Sequence, residues 1–303
     1  MQIDTSEKRP KFAVLLAAFN GVDWLPEQVQ SILQQESVSV TIYVSVDRSE
    51  DGTEEWFKTC EQQNPAVRIL PVGIFGGAAR NFFRLVRDVD FSGYDYVALS
   101  DQDDIWNPKK LISAHEAISN GGVDAYSANV TAFWPDGRKK LIDKASDQKR
   151  YDHFFEAAGP GCTYVLRYRI ARDFKKFLID HWQSVNAVAL HDWLIYAWAR
   201  NSGCTWFIDK RSMLNYRQHA TNQMGANSGL LQILRRFKLV RQGWYRSEVE
   251  KIATLLEVGR GTLVGGAGPD FSSRWFLLKN IMQIRRNAKD RIFLLALLLL
   301  NLY

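Results

Sequence analysis

Between residues 12 and 118 short apolar runs alternate with amphipathic segments, and this alternation restricts the chain to few architectures. The runs Phe12–Phe19, Val40–Val46, Val67–Pro71 and Tyr94–Ser100 have the length and mainly apolar character of strands, and Phe12–Phe19 is apolar throughout, as a strand covered on both faces must be. Between the first two, Trp24–Gln35 puts Leu25, Val29, Ile32 and Leu33 on one helical face. Thr53–Gln63 opens with Glu54 and Glu55, which suit the positive end of a helix dipole. Gly77–Val86 supplies a third helix, and a fourth follows Pro108. Repeated βα units of this kind predict an α/β fold with a Rossmann-like, mainly parallel sheet flanked by helices.

Further strands are expected at Ala125–Phe133 and Cys162–Leu166, separated by a Lys- and Asp-rich segment read as a surface loop. Beyond them come helices at about Ile170–Trp182 and His191–Arg200, then extended runs at Trp206–Ile208 and Met213–Tyr216. The turn-like Asn222–Ser228 marks a boundary between a first domain over residues 1–225 and a basic, amphipathic helical region over 226–303. The first divides into two halves, about 1–120 and about 121–225. In the C-terminal region Leu230, Leu231, Ile233, Leu234, Phe237 and Leu239 mix with Arg235, Arg236, Lys238 and Arg241, and the Gly-rich Gly259–Gly268 precedes the last helix.

Charge supports that division. Residues 1–220 carry 26 Lys/Arg and 28 Asp/Glu, a net of −2, whereas residues 221–303 carry 13 and 5, a net of +8. An acidic body with a basic tail suggests a tail that meets an anionic surface. The apolar run Ile292–Leu300, preceded by Arg285, Arg286, Lys289 and Arg291, is shorter than the roughly 20 residues that cross a bilayer. With no signal peptide evident before Asn20-Gly21, a cytoplasmic location with peripheral attachment to the inner membrane face is expected. With 46% hydrophobic and 24% charged residues, disorder and a polytopic membrane protein are excluded. Three separated cysteines, Cys60, Cys162 and Cys204, argue against a disulfide framework or zinc cage.

In open α/β sheets ligands bind beyond the carboxyl ends of the strands. Here those ends read Ala18-Phe19-Asn20-Gly21, Asp47-Arg48-Ser49-Glu50-Asp51-Gly52 and Ser100-Asp101-Gln102-Asp103-Asp104. Carboxylates crowded at one strand tip call for a positive partner, and Mg²⁺ or Mn²⁺ with substrate phosphates is the natural one.

These tips, together with Gly76-Gly77-Ala78-Ala79-Arg80-Asn81 and Asp104-Ile105-Trp106 followed by Pro108-Lys109-Lys110-Leu111, resemble the family 2 inverting glycosyltransferases of GT-A fold. The likeness extends over about Phe12 to Asn222. Ser100-Asp101-Gln102-Asp103-Asp104-Ile105-Trp106 and Tyr216-Arg217-Gln218-His219 resemble bacterial rhamnosyltransferase-like members that build cell-surface polysaccharide. The resemblance implies that Asp47 recognises the pyrimidine, Arg80 holds the nucleotide, Asp101 faces the ribose and Asp103 binds the metal bridging the phosphates. Ala18, Asn20 and Gly161 join the donor-binding set. His219 is a second metal ligand or a diphosphate contact. Asp192, at a helix start, is the expected general base, with Trp106, His191 and Trp193 toward the acceptor. Where many relatives carry a second acidic residue after Asp47, this chain has Arg48.

The resemblance implies transfer of L-rhamnose from dTDP-L-rhamnose to a lipid-linked or lipopolysaccharide glycan, with a UDP-hexose as alternative donor. A nucleotidyltransferase or a nicotinamide-dependent oxidoreductase would need a Gly-rich loop after the first strand, where Asn20-Gly21-Val22-Asp23-Trp24 stands. A nucleic-acid-binding protein would need a recognised module and a basic body, and a non-catalytic lipid-binding protein would leave the acidic tips without a task. No nucleic acid is expected as a partner, and the sequence leaves a homo-oligomer open.

Overall fold

The structure is a computed structural model that describes residues 9–219, 238–258 and 274–300. Its organising strand is β1 (Lys11–Ala18), in which every residue after Lys11 is buried. It pairs in parallel with β2 (Ser39–Val46) on one side and β4 (Tyr96–Ser100) on the other, and β2 pairs in parallel with β3 (Val67–Ile69). The helices α1 (Leu25–Leu33), α2 (Thr53–Gln63), α3 (Ala78–Asp88) and α4 (Lys110–Asn120) follow the expected positions. Alternation along β1 sends Phe12, Val14, Leu16 and Ala18 into one core with Leu25, Val29, Phe57 and Leu111. Ala13, Leu15 and Ala17 enter a second core with Phe82, Phe83 and Leu85 on the opposite face. Burial of each such leucine or phenylalanine is worth about 1.5–3 kcal/mol, which is why the run contains no polar residue.

Past β4 the sheet becomes mixed. β8 (Val165–Arg167) pairs antiparallel with both β4 and β6 (Ala125–Phe133), and β9 (Trp206–Arg217) runs parallel to β6. The strand order is β3-β2-β1-β4-β8-β6-β9-β5, where β5 is Ile105–Trp106, and β7 (Lys139–Ile142) attaches to β6. Three local expectations are corrected. Cys162–Leu166 is not strand throughout: a 3₁₀ turn over Gly161–Thr163 comes first, because Pro160 O accepts from both Thr163 N (3.0 Å) and Thr163 Oγ1 (2.7 Å). The runs Trp206–Ile208 and Met213–Tyr216 are one strand, carried through polar residues 209–212 by a bulge against Ala128, Asn129 and Thr131. Part of the presumed loop after β6 is β7, whose Lys139 and Lys140 are exposed beside β6.

Helices α5 (Tyr168–Asp180), α6 (Trp182–Val185) and α7 (His191–Asn201) pack on the second core. The C-terminal helices do as well: α8 (Trp244–Leu255), α9 (Arg274–Lys279), α10 (Ile281–Ile284) and α11 (Ala288–Leu299) contribute Val249, Ile252, Leu277, Ile284, Leu294 and Leu298. The expected boundary at Asn222–Ser228, most of the Leu230–Arg241 stretch and the Gly259–Gly268 turn lie outside the described residues.

Candidate active site

The parallel strands β1, β2 and β4 end together, so the residues after them converge. Asp47 extends from β2 and its carboxylate is clamped by main chain: Oδ1 accepts from Phe75 N and Oδ2 from Gly76 N, both at 2.9 Å. Gly76 and Gly77 take φ values of +74° and +145°, which suit glycine and let this loop curl around the carboxylate. Arg80, exposed one turn later, lies over Gly76 and donates from Nε to Asn186 O at 3.4 Å. Asp47, the 75–77 main chain and Arg80 thus form one corner.

The neighbouring turn is held by side chains. Asn20 has φ +45°, donates from its main-chain N–H to Ser49 Oγ (3.0 Å) and accepts from Glu50 N at Oδ1 (2.9 Å). Asp51 accepts from Thr53 Oγ1 (2.6 Å) and Val22 N (3.0 Å); burial alone would raise its carboxyl, and these bonds bring it below its ordinary range. Gln102 copies a strand residue: its Oε1 accepts from Phe19 N (2.7 Å) and its Nε2 donates to Phe19 O (2.9 Å). Ala18 is core, its carbonyl accepting from Asp47 N.

The Asp101–Asp104 run divides into two environments. Asp103 and His219 meet at the surface of the site, with Oδ2 and Nε2 2.6 Å apart, and His219 stacks on Trp24 at 4.1 Å between ring centres. Arg217 holds this pairing by donating from Nε to Asp103 O (2.9 Å) and from its main-chain N to Asp104 Oδ1 (3.2 Å). A carboxylate and an imidazole in contact offer two donors to one hard cation and leave its other positions to phosphate and water, so these residues fit Mn²⁺ or Mg²⁺.

Beneath them Asp104 and Cys162 are fully buried beside Asp101, and one ligand atom from each lies within 4.8 Å of the others. That trio is a poor cation site, because the fully buried Lys110 stands there instead, its Nζ donating to Cys162 O (2.8 Å) and lying 2.9 Å from the centre of the Trp106 ring. Desolvation lowers the Lys110 ammonium well below its usual range and raises the Asp104 carboxyl and Cys162 thiol well above theirs. Asp104 Oδ2 has no hydrogen-bond partner among the described residues. Asp101 rises to about 7, from desolvation and then the charges of Asp103 and Asp192.

Asp192 stands in the first turn of α7, where an acidic residue suits the helix dipole. Desolvation raises its carboxyl to about 6, against bonds such as that from Trp193 N (2.8 Å). A Cβ on Gly161 would stand 2.6 Å from His191 Nε2 and 3.0 Å from Asp192 Cβ, so only glycine brings the 159–163 main chain this close to α7. His191 stacks on Phe82 at 3.9 Å, and burial lowers it to about 3, which leaves a neutral wall.

The structure therefore gathers Asp101, Asp103, His219, Gly161 and Asp192, with Asp47 and Arg80 at the far corner. It does not bring two expected rings to the surface. Trp106 is 3% exposed under the Lys110 ammonium, and Trp193, also 3% exposed, donates from Nε1 to His153 O and stacks on Tyr245. Lys110, Gln102 and Arg217 lie within the quoted motifs, but the motifs alone give them no role. For Lys110 a signal existed: it is in phase with the buried Ala114 and Ile118 of α4, while Lys109 faces solvent.

Comparison with known proteins follows the same line. Residues 13–182 match the family described as Glycosyl transferase family 2. The chain is 41% identical over 290 residues, 95% of its length and 100% of the relative's, to dTDP-rhamnosyl transferase RfbG of Shigella flexneri. Its fold is similar to that of S. aureus TarS 1-349 in complex with UDP, with a TM-score of 0.55 at 13% identity, covering 81% of this chain and 65% of that one. It is also similar to mannosyltransferase PcManGT from Pyrobaculum calidifontis in complex with GDP-Man and Mn²⁺, with a TM-score of 0.53 at 13% identity over 98% and 82% of the two chains.

Proposed function

The chain belongs to glycosyl transferase family 2, and from that premise we propose that it is an inverting rhamnosyltransferase that uses dTDP-L-rhamnose. The observation that carries the donor is the 41% identity over the whole length of a dTDP-rhamnosyl transferase. The acceptor is a hydroxyl of a lipid-linked or lipopolysaccharide glycan. Residues 1–225 act as the catalytic domain, with the donor on the half up to about 120.

Asp47 and Arg80 hold the base and nucleotide, and Asp101 the ribose. Asp103 and His219 hold a divalent cation, Mn²⁺ or Mg²⁺, which when bound neutralises charge on the departing diphosphate. Gly161 lets the sugar lie against main chain. Asp192 accepts the proton of the acceptor hydroxyl as its oxygen attacks the anomeric carbon opposite the nucleotide, and a carboxyl near 6 is ionised at neutral pH yet basic enough for that task. No covalent intermediate on the enzyme is required.

Calorimetry with dTDP and UDP, each with and without Mn²⁺, tests this reading. Wild type should bind dTDP more tightly than UDP and only with metal, and Asp103→Ala should lose about 10²-fold or more of that affinity, the worth of one good ligand or its support. Failure to bind either nucleotide would overturn it.

Peripheral attachment to the inner face of the cytoplasmic membrane completes the proposal. Among the described residues no helix is long and apolar enough to cross a membrane. The C-terminal helices nevertheless expose Trp275, Met282, Ile292, Phe293, Leu299 and Leu300 near Arg274, Lys279, Lys289 and Arg291, and apolar with basic groups bind anionic lipid reversibly. Wild type should float with phosphatidylglycerol-containing liposomes and the Ile292→Glu/Phe293→Glu chain should not; equal flotation counts against this face.

A further inference from the structure

A polar cleft opens between the segment after β7, the turn carrying Glu156 and the start of α11, with a volume of about 300 Å³ including its open mouth. Lys144, Ser146 and Glu156 line it from one side, and Arg286, Asn287 and Asp290 from the other. Some of these groups are committed. Glu156 Oε1 accepts from Arg286 N (2.6 Å), Arg286 Nη1 donates to Asp152 Oδ2 (3.0 Å), and Asn287 Oδ1 accepts from Lys289 N (2.8 Å). Three are not: among the described residues, no hydrogen bond or close ion pair engages Lys144 Nζ, the Ser146 hydroxyl or the Asp290 carboxylate.

Lys144 connects the cleft to the reaction centre. Its Cβ and Cγ pass beside Gly159, 3.7 and 3.9 Å from where a Cβ would stand on that glycine. Its ammonium lies within electrostatic reach of Asp192 as well as of Glu156 and Asp290. The acceptor hydroxyl has to arrive at Asp192, and the rings of Trp106 and Trp193 are covered, so an aromatic platform from those residues is not what receives the acceptor. Charge narrows the occupant. An anion would meet Asp143, Glu156 and Asp290, and a metal cation would meet Lys144 and Arg286. A neutral polyol meets neither obstacle, since its hydroxyls donate to a carboxylate and accept from an ammonium or a hydroxyl.

We infer that this cleft is the subsite for the terminal sugar ring of the acceptor glycan, with Lys144, Ser146 and Asp290 as its hydrogen-bonding groups. The start of α11 thereby supplies a determinant of acceptor choice. The inference rests on the glycosyl-transfer reading above and extends it to the second substrate.

The test uses the full chain with dTDP and Mn²⁺, and saturation-transfer NMR with methyl α-L-rhamnopyranoside and methyl N-acetyl-β-D-glucosaminide as probes. At least one glycoside should receive saturation from wild type and bind about tenfold more weakly to Asp290→Asn and to Ser146→Ala, as expected for one lost polar contact. Affinity for dTDP should be unchanged in both variants, which also shows that they are folded. Equal glycoside binding by wild type and both variants, or no contact between either glycoside and wild type, overturns the cleft assignment. Absence of dTDP binding by wild type overturns the glycosyl-transfer reading instead.

Discussion

Asp47 is held by N–H groups 28 and 29 residues further on, within the same run of βα units, whereas the approach to Asp192 is held from much farther along the chain. Ala189 N, just before α7, donates to Glu248 on α8 at 2.9 Å, a separation of 59 residues. Asp152, on which Tyr196 of α7 rests, pairs with Arg286, 134 residues away. The Asp47 corner is built locally from strand tips and main chain, and the Asp192 side is held by side chains from far along the chain. The basic C-terminal region, which composition alone associates with a surface, is thus also a structural support of α7.

The sharpest way to separate the two ends is Asp192→Asn. It should lower kcat by about 10²–10⁴-fold while leaving dTDP affinity near normal, because only the proton acceptor is lost. In wild type, kcat/KM should fall about tenfold per pH unit below the Asp192 value of about 6, as protonation removes the base. Turnover by Asp192→Asn close to wild type would remove Asp192 from the mechanism.

Arg286→Ala probes the long-range support. Arg286 is buried at 4% exposure and paired with Asp152 and Glu156, so truncation leaves buried carboxylates short of a partner at a cost of about 3–5 kcal/mol. Chemical denaturation should register that loss, and Arg286→Lys should recover part of it. Unchanged stability would mean that the acceptor side, like the donor corner, stands without the C-terminal region.

The smallest expected effect is a gain. The Asp192 carboxyl is raised above its unfolded value of 3.8, so its contribution to stability is full below that value and lost as pH rises through about 6. Asp192→Asn should therefore be more stable than wild type by about 3 kcal/mol at pH 8, and the advantage should vanish below about pH 4. Thermal unfolding at the two pH values measures it, and a variant less stable at pH 8 would show that Asp192 is a structural cap.

What was legible in the sequence follows the same division. Strands β1 to β4 and helices α1 to α4 were readable because a doubly covered strand must be continuously apolar and a crossover helix must carry one apolar face. The acidic strand tips were readable because parallel strands deliver their ends to one place. The two-residue β5 and the Lys-bearing edge β7 carry too little pattern to be seen, and β9 is broken in sequence by the polar residues of its bulge. Trp106 is hard to place from sequence because an aromatic after an acidic cluster has the same appearance whether it faces a ligand or, as here, lies under a buried lysine. Glu248, Lys144 and Arg286 look like ordinary surface charges until the chain returns to enclose them.

That return sets an order on how the protein can come into being. A chain synthesised at about 5–20 residues per second takes about 8–33 s to go from residue 120 to residue 286. During this interval every residue of the Asp47 and Arg80 corner has been made, while Asp152 can have Arg200 but still lacks Arg286. A nascent chain thus contains the whole Asp47 corner well before it contains the buried Arg286 that pairs with Asp152 against Tyr196 of α7.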